Sequence, residues 1–167
     1  MSIKTKENMS PRVFISNLLP ACSGDIEPTL IIAQAALESG WGKHCIGKYN
    51  YFGIKRGRWQ GNAIMVKTRV VFKTRNVKLP DGDKVISVNK RPDGRYDYVC
   101  MCAFRDYSSL DEALKDHEQV LKRLVPDKNI WGDRVEMARS LVGKYATDPL
   151  YDEKLIAMFK YIDKIKK

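Results

Sequence analysis

The pattern of apolar and polar residues divides the chain into two helical parts and one strand-rich part. In residues 1–54, apolar residues recur at helical spacing behind Pro11 and Pro28, each of which follows a polar capping residue. The second helix, over 29–39, is apolar nearly all round, and Gly40 can end it. We therefore expect this helix to lie at the centre of the core.

Residues 55–105 show the alternation that is typical of half-buried β-strands. β-branched and aromatic residues alternate with Lys and Arg over 63–72 and again over 96–104, and turn signals at 80–83 and 91–94 lie between them. The pattern predicts a small antiparallel sheet of about three strands.

Helical spacing returns in the last third of the chain. A capping box that begins at Ser109 opens one helix, and a second is expected over about 133–142, ended by Gly143. Asp148 is expected to cap the last helix, with the following proline as its first residue.

This order of elements predicts an α+β fold with a mainly helical core and a small antiparallel β lobe. We expect a single domain over 1–167, in which 1–54 and 106–167 form the helical lobe and 55–105 form the β lobe. A cleft between the two lobes is the natural place for a ligand.

Charge is distributed unevenly over these lobes. The chain has 30 Lys and Arg against 20 Asp and Glu, and residues 55–105 hold 13 of the basic residues but only 4 of the acidic ones. Such an excess favours a polyanionic partner, which could be nucleic acid, an anionic membrane surface or an acidic cell wall. No run approaches the roughly 18 apolar residues of a membrane span, and residues 1–7 lack the apolar core of a signal peptide. We therefore expect no membrane insertion and no visible export signal.

Glu38 is the sharpest candidate for chemistry. It lies at the C-terminal end of the most apolar helix, where the helix dipole and the apolar surroundings both disfavour a charged carboxylate and should raise its pKa. A carboxyl group that stays protonated near neutral pH can act as the general acid of glycoside hydrolysis. From position alone, a partly exposed glutamate without such a role remains the alternative.

No cofactor and no metal site are expected. His44 and His117 are isolated in the sequence, and His117 falls on the apolar stripe of its helix, as a core histidine would. No metal-site spacing links the cysteines, which are expected as reduced structural thiols: Cys22, Cys45, Cys100 and Cys102.

Four runs of the sequence resemble, in order, the glucosaminidase domains of glycoside hydrolase family 73. This family includes flagellar peptidoglycan hydrolases and many bacterial autolysins. The runs are AQAALESGWG at 33–42, YNYFGIK at 49–55, FRDYSS at 104–109 and YATDPLY at 145–151. The resemblance covers about residues 11–165 and is weakest in the β lobe.

The resemblance implies a lysozyme-like fold and an endo-β-N-acetylglucosaminidase that cleaves the glycan strands of bacterial peptidoglycan after N-acetylglucosamine. Glu38 is then the general acid. Tyr145 matches a family tyrosine close to that glutamate, where a phenol could hold a water or steady developing positive charge; a core tyrosine is the alternative. The expected place of action is the bacterial cell wall, periplasmic or extracellular, and we expect a monomer with no nucleic-acid partner.

Four further residues are candidates for contact with the sugars. Trp41, Phe52 and Trp59 could offer flat apolar faces, and Asn50 could bind an acetamido group. Aromatic residues beside glycine are also common as simple packing, which is slightly favoured for Trp41 and Phe52. Trp59 lies in the basic run RGRWQG, where exposure and a ligand role are favoured.

One feature of the family is missing. Many members carry a second carboxylate in the β lobe, where this chain has Val70 or Val71. Three interpretations follow: Asp97 swings in on a mobile loop and activates water, the substrate's own 2-acetamido group acts as nucleophile, or activity is weakened and the domain only binds the wall.

Two other classes of protein stay open. Lytic transglycosylases share the lysozyme-like core and work with one glutamate, so an enzyme of that kind, or a muramidase, could use Glu38 alone. A nucleic-acid-binding protein has only the basic excess of residues 55–105 in its favour.

Overall fold

The computed structural model describes residues 9–166, which form five α-helices and one three-stranded sheet. The helices are α1 (Pro11–Leu18), α2 (Pro28–Ser39), α3 (Leu110–Leu124), α4 (Arg134–Leu141) and α5 (Tyr151–Lys166), and the strands are β1 (Ala63–Phe72), β2 (Lys84–Lys90) and β3 (Tyr96–Arg105). The predicted α+β, lysozyme-like architecture is confirmed. Residues 1–7, where no signal peptide is expected, lie outside the described residues. Among the described helices, none is long and apolar enough to cross a membrane.

α2 lies at the centre of the helical core, as predicted. The side chain of Glu27 caps its N-terminus by accepting a hydrogen bond from the Leu30 N–H at 3.2 Å. Residues 29–36 are all buried, because α4 and α5 pack on this helix. Gly40, with a φ of +56°, ends the helix in the left-handed conformation that glycine adopts without strain.

The predicted start of the last helix is wrong by two residues. The Asp148 carboxylate accepts a hydrogen bond from the Leu150 N–H at 2.9 Å, so residues 148–150 form a turn. The helix α5 begins only at Tyr151, whose N–H donates to the Asp148 carbonyl at 3.1 Å. Aspartate favours such local turns as well as helix caps, and the two cannot be told apart by residue type.

The sheet has the order β1-β3-β2 and is antiparallel throughout. β1 and β3 pair along their whole length, from Ala63 opposite Arg105 to Phe72 opposite Tyr96. Alternate β3 side chains on one face build a small second core: Tyr98, Cys100, Cys102 and Phe104. The opposite face is more open, and β1 presents the exposed Lys67 and Arg69 there, so the basic character of this lobe lies largely at its surface.

The end of β3 joins the sheet to the helical core. The Arg105 N–H donates to the Ile54 carbonyl at 3.1 Å, and the Arg56 N–H donates to the Ala103 carbonyl at 2.9 Å. The Asp83 carboxylate braces this junction, because it binds both the Lys55 ammonium and the Ala103 N–H at 2.8 Å. The segment that follows α2 is thereby fixed against the sheet.

Candidate active site

Glu38 lies in the last turn of α2 at the floor of a cleft of about 330 Å³. The cleft is walled by the segment after α2, by α3 and by the loop before α5; its lining residues are Glu38, Phe52, Gly53, Ile54, Val120, Leu124, Lys144, Tyr145 and Ala146. Its volume suits a sugar-sized ligand. Glu38 therefore combines a carboxyl group with a mostly apolar concave surface.

Glu38 is exposed to the open cleft, yet the cleft walls partly bury its carboxyl group. This partial burial raises the pKa of Glu38 above the ordinary value of a glutamate, because the charged form loses part of its hydration. A hydrogen bond from the Tyr151 hydroxyl to Oε1, at 3.3 Å, acts in the opposite direction but does not cancel the effect of burial. The direction of the pKa shift agrees with the prediction from sequence. The carboxyl group is thus biased towards the protonated form that a general acid needs.

A buried chain of hydrogen bonds leads from α3 to Glu38. His117 contacts the Gln34 Oε1 at 2.8 Å through Nε2, and the Gln34 Nε2 donates to the Tyr151 hydroxyl at 3.1 Å. Since an amide oxygen can only accept, His117 carries its proton on Nε2. The Tyr151 hydroxyl accepts from Gln34, so its own proton is free to point at Glu38. Every donor in this chain therefore points towards the carboxyl group.

His117 is completely buried, and burial lowers its pKa to about 3. Its ring lies flat against Phe52, with centroids 3.6 Å apart and an interplanar angle of 2°. The Nδ1 atom has no hydrogen-bond partner within the described part of the chain. The predicted core histidine is thus found in the core, but only one of its two nitrogens is satisfied.

Tyr145 forms part of the wall of the cleft beside Glu38. Its ring is nearly parallel to that of Tyr151, with centroids 5.8 Å apart and an interplanar angle of 17°, and its hydroxyl donates to the Phe52 carbonyl at 3.4 Å. Burial raises the pKa of Tyr145 well above its ordinary value. The phenol is therefore neutral; its one proton is directed at the Phe52 carbonyl, and its oxygen can accept a further hydrogen bond in the cleft.

A family model described as mannosyl-glycoprotein endo-beta-N-acetylglucosaminidase, of the glucosaminidase type, matches residues 21–164. The chain belongs to the glucosaminidase family. The chain is 32% identical over 149 residues to an N-acetylmuramoyl-L-alanine amidase domain-containing protein of Staphylococcus aureus, covering 82% of this chain and 20% of that protein. It is 28% identical over 169 residues to peptidoglycan hydrolase FlgJ of Vibrio parahaemolyticus, covering 92% and 48%. It is 30% identical over 147 residues to a probable N-acetylmuramidase of Lactococcus lactis, covering 81% and 28%.

The chain therefore spans less than half the length of each of these relatives. No solved structure matches it.

Among the four sugar-contact candidates, the structure brings Phe52 to the cleft of this glucosaminidase-family domain, although its ring is 3% exposed. Trp41 packs edge-on against Phe14 and Tyr161, at centroid distances of 5.5 and 5.7 Å, and does not line the cleft. These contacts give both aromatic residues a packing role.

Asn50 is 1% exposed, and its amide group is already occupied by main-chain partners. Nδ2 donates to the carbonyls of Ile54 at 3.0 Å and Arg105 at 2.9 Å, and Oδ1 accepts from the Ile54 N–H at 3.0 Å. The side chain thus ties the cleft-lining segment to the end of β3. Its sequence-based assignment to an acetamido group gains no support from this geometry.

Trp59 lies outside the Glu38 cleft, in a second concavity on the side of α3. Its indole Nε1 donates to the Asn62 carbonyl at 3.0 Å, and its ring meets that of Tyr107 edge-on at 5.3 Å. Trp59 remains partly exposed, as predicted, and its contact with a ligand stays a prediction.

Within residues 9–166, Glu38 is the only carboxylate that lines the cleft. Asp97 lies on β3 directly opposite Val71. Val71 is one of the two positions at which the resemblance to the family leads us to expect a second acid. The expectation of a mobile loop is wrong, because Asp97 pairs with residues of both neighbouring strands. Its side chain binds Arg91 at 3.1 Å, and it lies eight residues along β3 from Arg105, or about 26 Å of extended strand. The structure does not bring Asp97 to Glu38.

Sequence reasoning missed the hydrogen-bond chain to Glu38: Tyr151 contacts the carboxyl group directly, and Gln34 and His117 lie behind it. His117 was expected only as a core residue. One signal was available. Gln34 is a buried polar residue on an otherwise apolar stretch of α2, and it precedes Glu38 by four residues, which places both on the same face of the helix.

No group of three His, Cys, Asp or Glu side chains that could hold a metal ion occurs in the portion of the glucosaminidase domain that the structure describes. None of the four cysteines forms a disulfide within the described residues, and three of them are buried.

Proposed function

We propose that the protein is a peptidoglycan hydrolase, an endo-β-N-acetylglucosaminidase that cleaves the glycan strand after N-acetylglucosamine with Glu38 as general acid. The observation that carries this proposal is the glutamate of raised pKa in the cleft, held by an oriented hydroxyl donor. Membership of the glucosaminidase family over residues 21–164 supports the substrate class, and so does the name of the Vibrio relative. The place of action is then the bacterial cell wall.

The hydrogen bond from Tyr151 supports different tasks for the two oxygens of Glu38. Oε1 accepts from the Tyr151 hydroxyl, so in the neutral acid the proton resides on Oε2. That proton passes to the glycosidic oxygen as the bond to C1 breaks, and the leaving sugar departs as a neutral alcohol. The carboxylate left behind keeps its hydrogen bond from Tyr151, which stabilises the charge that develops on Glu38.

The nucleophile at C1 is the second half of the proposal. Within the described residues Glu38 is the one carboxylate that lines the cleft, and substrate assistance needs no other protein acid. The carbonyl oxygen of the 2-acetamido group attacks C1 as the glycosidic bond breaks and forms an oxazolinium ring, which water then opens. Tyr145 supplies a neutral phenol beside this reaction, and its oxygen can accept a hydrogen bond from the acetamido N–H or from the water. Recruitment of Asp97 would require this residue to leave its pairing in β3 and its ion pair with Arg91, so it is kept only as the alternative that the experiment below tests.

Product analysis tests the proposal most directly. Purified sacculi are digested with the wild type, Glu38→Gln and Asp97→Asn, with Glu153→Gln as a control that changes an exposed carboxylate of α5 in the same way. We expect new reducing ends on N-acetylglucosamine and a fall in turnover of about 100- to 10,000-fold for Glu38→Gln, with sacculus binding retained. Asp97→Asn and Glu153→Gln should stay close to wild type.

Each other result supports a different function. Reducing ends on N-acetylmuramic acid would make the enzyme a muramidase, as the name of the Lactococcus relative suggests for that protein, and 1,6-anhydro ends would make it a lytic transglycosylase. A wall-binding module would bind sacculi without release, whether or not Glu38 is replaced. If Asp97→Asn loses as much turnover as Glu38→Gln, the second catalytic group is this aspartate and not the acetamido group of the substrate.

A further inference from the structure

A second concavity, of about 490 Å³, lies on the flank of α3 next to the Glu38 cleft. Its lining residues are Arg58, Trp59, Gln60, Arg105, Asp116 and Arg123. Val120 lines the Glu38 cleft. It lies four residues after Asp116 and three residues before Arg123, and residues at these spacings are neighbours on the surface of one helix. The two depressions therefore adjoin along α3.

Trp59 gives this concavity a rigid aromatic wall. The indole is fixed by its hydrogen bond to the Asn62 carbonyl and by its edge-on contact with Tyr107. It also rests against the main chain of Gly61, where an added Cβ would come within 2.5 Å of the indole ring. A ring that is held on several sides loses little entropy on binding, which suits a stacking platform for a sugar.

The charges that surround Trp59 are only partly compensated. The Arg105 guanidinium binds the Asp116 carboxylate at 2.7 Å and the Lys55 carbonyl at 3.0 Å, so its charge is paired within the protein. Arg58 and Arg123 are exposed, and neither has a carboxylate within ion-pair distance in residues 9–166. Two guanidinium groups thus flank the aromatic wall without an anionic partner.

We propose that this concavity is a subsite for the acidic stem peptide of the substrate, in which Arg58 and Arg123 bind a peptide carboxylate while the sugar ring lies against Trp59. The proposal rests on the proposed function, because a glycan strand in the Glu38 cleft carries a peptide on every second sugar. Arginine matches this task through its planar fork, which binds a carboxylate with two parallel hydrogen bonds. The site would make the enzyme prefer peptide-bearing strands to naked ones.

The test compares two soluble substrates that differ only in the peptide: glycan oligosaccharides with intact stem peptides, and the same oligosaccharides after enzymatic removal of the peptides. The variant is the double substitution Arg58→Gln and Arg123→Gln. We expect KM for the peptide-bearing substrate to rise about tenfold, or about threefold for each exposed ion pair, with kcat unchanged. KM for the naked glycan should change less than twofold.

The matched control is Arg75→Gln, which removes an exposed arginine of the same lobe that lines a different surface concavity. This control should leave both KM values within twofold of wild type. If Arg75→Gln has the same effect as the double variant, the effect is general attraction and the subsite is refuted. An equal rise of KM on both substrates, or no rise on either, refutes it as well.

Phosphate polymers of the cell wall could offer the same kind of anion. A loss of activity seen only on sacculi that retain such polymers, and absent on the peptide-bearing oligosaccharides, would assign the arginines to phosphate and overturn the peptide proposal. Failure of the proposed function can be told apart from failure of the subsite. If the proposed function is wrong, the wild type releases no N-acetylglucosamine reducing ends from either oligosaccharide.

Discussion

Replacement of Asn50 by alanine tests whether this side chain serves the fold or the substrate. The side chain makes three hydrogen bonds to main-chain groups, all between 2.9 and 3.0 Å, from a position that is 1% exposed. A buried hydrogen bond contributes about 1 kcal/mol net to stability, and the groups it leaves unpaired add to the loss. We therefore expect Asn50→Ala to lower the free energy of unfolding by about 3 kcal/mol.

Urea denaturation measures this free energy, with Asn76→Ala as control because Asn76 is an exposed asparagine in the loop after β1. The control should stay within about 0.5 kcal/mol of wild type. At a temperature where Asn50→Ala is still folded, its kcat should fall, because the segment it ties down carries Phe52 and Ile54 into the cleft wall. KM for the glycan should change little.

The opposite outcome would refute the structural argument. If Asn50→Ala unfolds at the same urea concentration as wild type while KM for the glycan rises manyfold, the amide group contacts the substrate after all. The sequence-based assignment to an acetamido group would then be correct.

Two further predictions concern pH. Tyr151→Phe removes the hydroxyl that lowers the pKa of Glu38, so Glu38 should stay protonated to higher pH and the alkaline limb of the kcat/KM profile should move up; an unmoved limb would contradict this role of Tyr151. His117 is neutral because burial lowers its pKa from 6.5 to about 3, so the wild type should lose stability as the pH falls below about 6.5, by up to about 1.4 kcal/mol per pH unit. The variant His117→Gln can still donate a hydrogen bond to Gln34 but cannot titrate. Urea denaturation should therefore show a smaller loss of its free energy of unfolding between pH 7 and 4.5. An identical loss in both proteins would show that His117 is not the titrating group.

The elements with strong local signals could be predicted from the sequence. α2 follows Glu27 and ends before Gly40, and both signals act within a few residues of the helix ends. The strand β1 coincides with the run of alternating residues over 63–72. These helix ends and this strand could be predicted because the residues that determine them lie within or directly beside the element itself.

The surroundings of Glu38 could not be predicted in the same way. Tyr151 and Glu38 lie 113 residues apart, and His117 and Gln34 lie 83 apart, so their contacts depend on how α3 and α5 pack on α2. Residue type gave no help with Asn50, because an amide that binds an acetamido group and one that binds main-chain carbonyls look alike in a sequence. Only the packed structure distinguishes the two.

Substrate assistance is compatible with both the acid-poor β lobe and the cleft, in which Glu38 is the only carboxylate within residues 9–166. A second carboxylate near Glu38 would raise its pKa by repulsion between like charges, but here burial alone already raises it. Without a second acid, the cleft lacks a negatively charged group beside C1. The neutral acetamido oxygen of the substrate can supply the electron pair that attacks C1 instead. In the neighbouring concavity, Arg58 of the β lobe and Arg123 of α3 have no carboxylate within ion-pair distance in the described chain, so their positive charge remains available for carboxylates that the substrate brings with it.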